Sequence, residues 1–180
     1  MNTKPTPTVS RRSFTLGVLT LAVGLGGCSA QPADAAVPTA LTPKHRIKKL
    51  LVREAVNLNV SPSLALAVAH AESSFDPRAE SRVGARGVMQ IMPATAMGEY
   101  AIHADQLWNP RVNVRLGLHF LKRLIERYDG HVEYALSYYN GGSAVGPPSR
   151  PRIIPATRSY VQKVMRLQGH YRRKLSRGEI

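Results

Sequence analysis

Residues 72–93 read ESSFDPRAESRVGARGVMQIMP, and the rest of the chain is organised around them. It begins with the carboxylate of Glu72, which ends an apolar helix-forming run. Turn-forming residues, among them Gly84 and Gly87, then predict a loop, and the loop closes on a short apolar segment that holds one amide, Gln90. A charged group that an apolar helix delivers to a glycine-marked loop is typical of a catalytic cleft, although it also occurs where a helix simply ends.

The composition is that of one globular domain with a large basic excess. Of the 180 residues, 43% are hydrophobic and 20% are charged. Lysine and arginine together number 25 against 11 acids, which gives a formal net charge of +14. Such an excess favours an anionic partner: nucleic acid, an acidic membrane surface or an acidic wall polymer. The location of the protein therefore decides which partner it meets.

The first residues of the chain resemble a bacterial export signal. A pair of arginines precedes an apolar run that is too short and too glycine-rich for a good membrane-spanning helix. The arginines are similar to a twin-arginine signal, and residues 25–28 (LGGC) resemble the lipobox of bacterial lipoproteins. We therefore predict that residues 1–27 are removed and that Cys28, the only cysteine, becomes a lipidated first residue. The alternative is an ordinary signal that is cut later, near Ala30 or Ala36.

Helical periodicity runs through most of the remaining chain, and strand patterns are nearly absent. An Ala/Pro/Thr-rich tether is predicted over residues 28–44, and the folded body follows. Helices are predicted over residues 45–59, 62–73, 111–128, 131–139 and 157–175, with a short helix beginning at Pro93. A proline-rich loop fills residues 143–156, any sheet would be a small hairpin around residues 88–92, and residues 171–180 are predicted to be a frayed basic tail. The predicted fold class is all-α.

The sequence contains no motif for a metal site, a catalytic nucleophile or a cofactor. The six histidines are scattered and the single cysteine has no partner, so no zinc motif is present. The sequence also contains no calcium loop, no nucleophile elbow and no glycine-rich phosphate loop. We therefore predict neither a metal nor a cofactor.

Catalysis by a carboxylate is the remaining class of chemistry, and Glu72 is the candidate residue. Apolar residues, including Val68 and Ala69, share its helix face, so burial should raise the pKa of Glu72 and let it act as a general acid. The alternative is a glutamate that points into water at a helix end. Ordinary glycosidases use two carboxylates. Asp76 precedes a proline and most simply caps a turn, and Glu80 is no more obvious as a second catalyst.

Three motifs occur in order along the chain: Glu72-Ser73, Gly87-Val88-Met89-Gln90 and Tyr139-Asn140-Gly141-Gly142. Together with residues 155–161 (PATRSYV), they resemble the motifs of the soluble lytic transglycosylase family, which cleaves peptidoglycan. The family more often has leucine at the position of Val88 and alanine at those of Tyr138 and Gly141. The resemblance covers residues 45–167 and implies an all-α, lysozyme-like fold, with the catalytic domain at residues 45–170.

The resemblance also implies roles for single residues. Glu72 would be the only catalytic acid and base: it would protonate the β-1,4 oxygen between N-acetylmuramic acid and N-acetylglucosamine, and then take the proton of the muramoyl 6-hydroxyl. The product is a 1,6-anhydromuramoyl end, and no water is consumed. The implied substrate-binding residues are Ser73, Ser81, Gln90, Met92, Tyr139 and Asn140. Tyr139 would orient Glu72 by a hydrogen bond, and Asn140 would support the adjoining loop. Structural alternatives are a core role for Met92, a helix stop at Asn140 and a helix cap at Ser73.

The implied partner is peptidoglycan, whose stem-peptide carboxylates would attract the basic excess. We predict a monomer that is exported to the periplasm, is anchored by Cys28 to the outer membrane, binds no nucleic acid, and can dock onto a secretion or division complex. Ser29 is compatible with outer-membrane sorting. Two other functions stay open: a hydrolytic lysozyme-type muramidase, and a non-catalytic glycan-binding accessory of a secretion system.

Overall fold

The structure, a computed structural model, describes residues 42–180. The predicted export signal, Cys28 and nearly all of the tether lie outside the described residues. The α-helices are α1 (Pro43–Asn57), α2 (Pro62–Ser73), α3 (Pro93–Tyr100), α4 (Pro110–Arg127), α5 (Val132–Gly141) and α6 (Arg158–Ser176). Short 3₁₀ helices cover Ala104–Trp108, Gly142–Val145 and Pro155–Thr157. Within residues 42–180, no helix is long and apolar enough to cross a membrane.

The predicted all-α class is confirmed, because the described residues form helices and no named strand. Where a hairpin was considered, around residues 88–92, the backbone forms only two isolated antiparallel bridges. Glu80 pairs with Arg86, and Arg86 pairs with Ile91. The loop reverses direction too tightly for pairing to continue beyond these bridges, since both Gly84 (φ 84°) and Gly87 (φ 75°) adopt the left-handed conformation.

Proline and side-chain caps set the helix starts. Helices α1, α2, α3 and α4 each begin with proline, whose fixed φ suits the first helical position and whose missing N–H is not needed there. The Thr42 hydroxyl accepts a hydrogen bond from the His45 amide at the start of α1. At the start of α4, the Asn109 side chain accepts from the amides of Arg111 (3.0 Å) and Val112 (3.4 Å).

Helix α2 lies at the centre of the domain. Every residue from Leu64 to Ala69 is at most 2% exposed, so this helix is surrounded by protein on all sides over its middle turns. It packs against α1 and α6, while α4 packs against α1 and α5. A buried carboxylate, Glu54 of α1, ties α1 to α4 through an ion pair with Arg115 (3.3 Å). The catalytic candidate Glu72 is therefore carried by the most deeply buried helix.

The helix predicted to end at residue 175 is observed as α6, and the accompanying prediction of a frayed RRKLSRGEI tail is wrong for residues 172–176. Helix α6 continues to Ser176, and Tyr171 is 3% exposed within the core. The Tyr171 hydroxyl lies 2.8 Å from Nδ1 of His70. Beyond the helix, Glu179 forms an ion pair with Lys174 (3.3 Å). The segment is mostly basic, so its composition did not indicate a buried side. Tyr171 supplies that side.

Candidate active site

Glu72 occupies the last turn of α2, where the backbone leaves the helix abruptly. Ser74 (φ 53°) and Phe75 (φ 68°) both adopt the left-handed conformation. The Phe75 amide reaches back to the Ala69 carbonyl (3.4 Å), a bond that closes a helix end of this kind. Phe75 is itself buried, at 4% exposure, and fixes the direction of the exit. The geometry therefore holds Glu72 at the junction of a rigid helix and the loop that follows.

The side chain of Glu72 is half-buried and packs against α6. The Tyr160 hydroxyl donates a hydrogen bond of 2.5 Å to Oε1 of Glu72. Burial raises the pKa of Glu72 from 4.5 to about 7, although the Tyr160 hydrogen bond and the charge of Lys163 act in the opposite direction. A carboxyl group with this pKa is present in both protonation states near neutral pH. It can therefore donate a proton in one step and accept one in the next.

Within residues 42–180, no second carboxylate joins Glu72. Oδ1 of Asp76 accepts a hydrogen bond from the Arg78 amide (2.8 Å), which confirms the predicted turn cap. Glu80 forms an ion pair with Arg86, in which Nε and Oε1 are 3.2 Å apart. Among charged side chains, Lys163 is the one that shifts the pKa of Glu72. The same residues also contain no cluster of three metal-ligating side chains.

The predicted hydrogen bond between Tyr139 and Glu72 is wrong. The Tyr139 hydroxyl donates instead to the Met89 carbonyl (2.8 Å), and Tyr160 of α6 supplies the hydroxyl that Glu72 accepts. The reason is the packing: α6 lies directly on α2, whereas the Tyr139 hydroxyl of α5 is directed at the loop. Tyr139 nevertheless remains near the site, since burial and then the charge of Glu72 raise its pKa well above the ordinary value.

Two of the predicted substrate-binding serines form hydrogen bonds within the site. The Ser73 hydroxyl donates to the Val88 carbonyl (2.8 Å), which joins the end of α2 to the loop. The Ser81 hydroxyl accepts from the Ala85 amide (3.0 Å) and closes the turn at the tip of the loop. Both side chains are half-buried. Their hydrogen bonds hold the loop in its position beside Glu72.

The other polar candidates are differently placed. The side-chain amide nitrogen of Gln90 donates to the carbonyls of Ala79 and Gly87, both at 3.0 Å. Its carbonyl oxygen has no hydrogen-bond partner among residues 42–180. Met92 is 38% exposed, so the alternative of a core role is wrong. Asn140 is exposed at the end of α5, and its side chain makes no hydrogen bond to the described residues, so the predicted support of the loop is not observed.

Sequence reasoning missed Asn113, a fully buried residue of α4 that holds the loop from below. Its side-chain nitrogen donates to the carbonyls of Arg86 (2.8 Å) and Leu107 (3.1 Å), and its oxygen accepts from the Met89 amide (2.8 Å). Gly87 lies against it so closely that a Cβ atom there would be 2.4 Å from the Asn113 nitrogen. Glycine is therefore required at this position by space as well as by its positive φ.

Residues 50–146 match the sequence model of the transglycosylase SLT domain. The chain belongs to this family. The matched part of the SLT domain contains Glu72, the loop, Asn113 and the Tyr139 motif, whereas Tyr160 lies beyond it. The predicted family is thereby confirmed.

Relatives of known kind are 29–37% identical to this SLT domain over the parts that align. The soluble lytic murein transglycosylase of Salmonella typhimurium is 29% identical over 72% of this chain and 23% of its own length. The transglycosylase of Enterobacteria phage PRD1 is 37% identical over 60% of this chain and 37% of its own. The membrane-bound lytic murein transglycosylase C of Edwardsiella ictaluri is 32% identical over 55% and 32%. The chain thus spans about a quarter to a third of the length of these relatives.

Solved structures place the SLT domain among lysozyme-like helical folds, as predicted. An inactive Glu-to-Gln mutant of the lytic transglycosylase Slt from Pseudomonas aeruginosa matches 72% of this chain and 24% of that chain, with 31% identity and a TM-score of 0.63. The 70-kDa soluble lytic transglycosylase from Escherichia coli matches 74% of this chain and 26% of that chain, with 27% identity and a TM-score of 0.60. The latter was also solved in complex with bulgecin A.

Proposed function

We propose that this protein is a peptidoglycan lytic transglycosylase, a carbon–oxygen lyase that acts on the glycan strand with Glu72 as its only acid and base. The observation that carries the proposal is the carboxylate itself: it is half-buried, its pKa is raised to about 7, and no other described acid stands beside it. An ordinary hydrolytic glycosidase needs a second carboxylate to activate water or to attack the sugar. A single carboxyl group is sufficient when the substrate supplies its own nucleophile.

The reaction then has two proton transfers at one site. Protonated Glu72 donates its proton to the β-1,4 glycosidic oxygen, and the bond from that oxygen to C1 of N-acetylmuramic acid breaks. N-Acetylglucosamine leaves with a free 4-hydroxyl. The resulting carboxylate takes the proton of the muramoyl 6-hydroxyl, whose oxygen bonds to C1 of the same sugar. The ring closes as a 1,6-anhydromuramoyl end, and Glu72 is again protonated.

The residues around Glu72 divide between sugar contact and support. We assign substrate contact to the free carbonyl oxygen of Gln90, the exposed thioether of Met92 and the unbonded amide of Asn140. The hydroxyls of Ser73, Ser81 and Tyr139 lie at the loop, and their binding role is indirect: each fixes a backbone segment that shapes the cleft.

The predicted export and anchoring belong to the same proposal. Residues 1–27 direct export, and Cys28 carries the lipid that holds the enzyme at the outer membrane, facing the peptidoglycan. The likeness to a membrane-bound lytic murein transglycosylase supports this assignment, as does the lipobox-like LGGC sequence. Globomycin treatment of cells, which blocks lipoprotein signal cleavage, should cause the precursor to accumulate. A Cys28→Ser variant should show no response to globomycin, because its signal is not a substrate for lipoprotein signal cleavage with or without the inhibitor.

Muropeptide analysis tests the activity. Purified sacculi digested with the native protein should release fragments with 1,6-anhydromuramoyl ends, and the Glu72→Gln variant should release none. The P. aeruginosa relative was made inactive by the same type of replacement. Reducing muramic acid ends without anhydro ends would replace the proposal by hydrolytic muramidase activity. Unchanged binding to sacculi with no cleavage by the native protein would favour the non-catalytic glycan-binding accessory.

A further inference from the structure

Basic side chains from three helices gather on one side of the domain. We call this set the basic surface: Lys44 and Lys48 of α1, His70 of α2, and Lys163, His170 and Lys174 of α6. The members are close enough to repel one another. Burial, followed by the charges of Lys174 and Lys44, lowers the pKa of Lys48. The pKa of His70 is lowered in the same way, first by burial and then by its lysine and histidine neighbours.

The outer side of α6 extends the basic surface. Arg158, Arg166 and Arg173 recur along one exposed stripe of this helix, and none of them forms an ion pair with a described residue. The sequence contains no aspartate or glutamate between Glu133 and Glu179. Repulsion among these cations destabilises the free protein, and an anionic partner would relieve it.

Glu179 is the one acid among residues 134–180, and it lies three residues beyond the end of α6. It pairs with Lys174 (3.3 Å) and Arg177 (3.7 Å), whereas Arg158, Arg166 and Arg173 form no ion pair with a described residue. The surface is therefore basic along its length and partly neutralised at one end.

The folded domain is joined to its N-terminal segment at this same surface. Helix α1 begins at Pro43, and Lys44 is the second residue of that helix. Thirteen residues, 29–41, separate Cys28 from Thr42. A connection of this length reaches at most about 50 Å even when fully extended. A lipid on Cys28 would therefore keep the basic surface within a short distance of the bilayer.

We propose that the basic surface docks on a bilayer that contains anionic phospholipid, as a second membrane contact besides the lipid anchor. Charge complementarity identifies the headgroup, and the position of Lys44 next to the tether favours the bilayer over the wall polymer. One lipid modification combined with a basic patch binds a membrane more stably than either does alone. The geometric part of this proposal rests on the anchor proposed above, but it does not depend on the proposed glycan cleavage.

Liposome sedimentation tests the proposal with the full chain carrying Cys28→Ser, so that no lipid is attached. The probes are vesicles of phosphatidylcholine alone and vesicles in which about a third of the lipid is phosphatidylglycerol. The test variant combines Lys44→Gln, Arg166→Gln and Arg173→Gln. The control combines Arg78→Gln, Arg82→Gln and Arg111→Gln. All six side chains are exposed, so both variants lose the same charge without disturbing the core.

The proposal expects binding to the anionic vesicles that weakens at high salt. The test variant should bind on the order of 100-fold more weakly, since each of its three basic residues contributes about 1 kcal/mol, or about fivefold, near an anionic surface, whereas the control should lose much less. An equal loss of vesicle affinity in both variants would overturn the proposal, because net charge alone would then account for the binding. Equal binding to both kinds of vesicle would also overturn it, because apolar residues of the export signal would then account for the binding.

Binding to sacculi distinguishes membrane docking from binding of the wall polymer by the same basic surface. If the unmodified surface fails to bind anionic vesicles but the test variant loses affinity for sacculi, the partner is the wall polymer and the membrane proposal is wrong. Digestion of sacculi by the test variant should proceed at the native rate, since none of its three changes lies at Glu72. A failure of cleavage in the native protein would count against the proposed enzyme and leave the vesicle result standing.

Discussion

Replacing Glu72 by glutamine should stabilise the folded protein at alkaline pH. The pKa of this carboxyl group is raised from its ordinary value of 4.5 to about 7 in the folded state, mainly by burial. The folded protein therefore binds this proton more tightly than the unfolded chain does. The associated stability is fully present below pH 4.5, and it is lost as the pH rises through about 7.

The size of the effect follows from the same two values. The difference between 4.5 and about 7 corresponds to about 3 kcal/mol, because each pKa unit is worth about 1.4 kcal/mol. Above neutral pH the native protein carries this cost of a buried charge, and glutamine carries none. Glutamine also retains an oxygen that can accept the Tyr160 hydrogen bond. The variant should thus gain up to about 3 kcal/mol at about pH 9 and little at about pH 4.

Urea unfolding of the two proteins, followed by circular dichroism at both pH values, measures the difference. The matched control is Glu133→Gln, since Glu133 is exposed and makes no ion pair with the described residues. Its stability should change by only a few tenths of a kcal/mol, roughly the range of surface substitutions, at either pH. A gain for Glu72→Gln that is equally large at acidic pH would show that burial of a charge is not its source.

Four further substitutions probe the surroundings of Glu72. Tyr160→Phe removes a hydrogen bond that favours the ionised carboxylate, so the alkaline limit of sacculus digestion should move up by about one to two pH units; an unchanged pH profile would exclude this contact. Gly87→Ala should destabilise the protein by more than about 2 kcal/mol in thermal unfolding, because a Cβ there meets Asn113. Gly84→Ala places its Cβ in open space and should cost only about 1 kcal/mol. Equal losses of stability in the two variants would contradict the steric explanation. Asn113→Ala removes three hydrogen bonds, and it leaves the Met89 amide and the Leu107 carbonyl without their partner, whereas the Arg86 carbonyl keeps the hydrogen bond from the Ile91 amide. The variant should lose about 3 kcal/mol of stability in the same assay. A loss below about 1 kcal/mol would show that water replaces the side chain.

The sequence predicted the helices and the catalytic candidate because both depend on local patterns. The apolar run of α2 and the stripe of α4 have helical spacing, and proline marks where each helix begins. The position of Glu72 at the end of an all-apolar helix predicted its burial, and its raised pKa agrees with that prediction. Asp76 before proline predicted a turn, which its hydrogen bond confirms.

The choice between two tyrosines could not be made from the sequence. Tyr139 and Tyr160 both lie on helices with apolar faces, and 88 residues separate Tyr160 from Glu72. Which hydroxyl reaches the carboxylate depends on how closely α5 and α6 pack on α2. That packing is a tertiary property, and the spacing of residues along one helix does not contain it.

Asn113 was missed for a different reason. It stands beside Val114 in α4, where a polar residue is easily assigned to the solvent side. One signal was available: Asn113 precedes Gly117 by one helical turn, and a glycine within a helix indicates a close approach by another segment. A Cβ at Gly117 would lie 2.5 Å from Cβ of Met89, so the loop approaches α4 at both positions. A buried polar side chain on that face is the natural partner for loop carbonyls.

The contacts of α6 bear on the order in which the site is completed during synthesis. This helix follows the other five in the chain, and it supplies Tyr160 to Glu72, Tyr171 to His70 and the Lys163 ammonium to the Ala71 carbonyl (3.1 Å). A nascent chain without α6 leaves Glu72 exposed to water, where a carboxyl group keeps an ordinary pKa and is ionised at neutral pH. Such a chain has no proton to donate. Docking of α6 therefore maintains the raised pKa of Glu72, and a chain whose α6 has not docked holds this side chain as an ionised carboxylate.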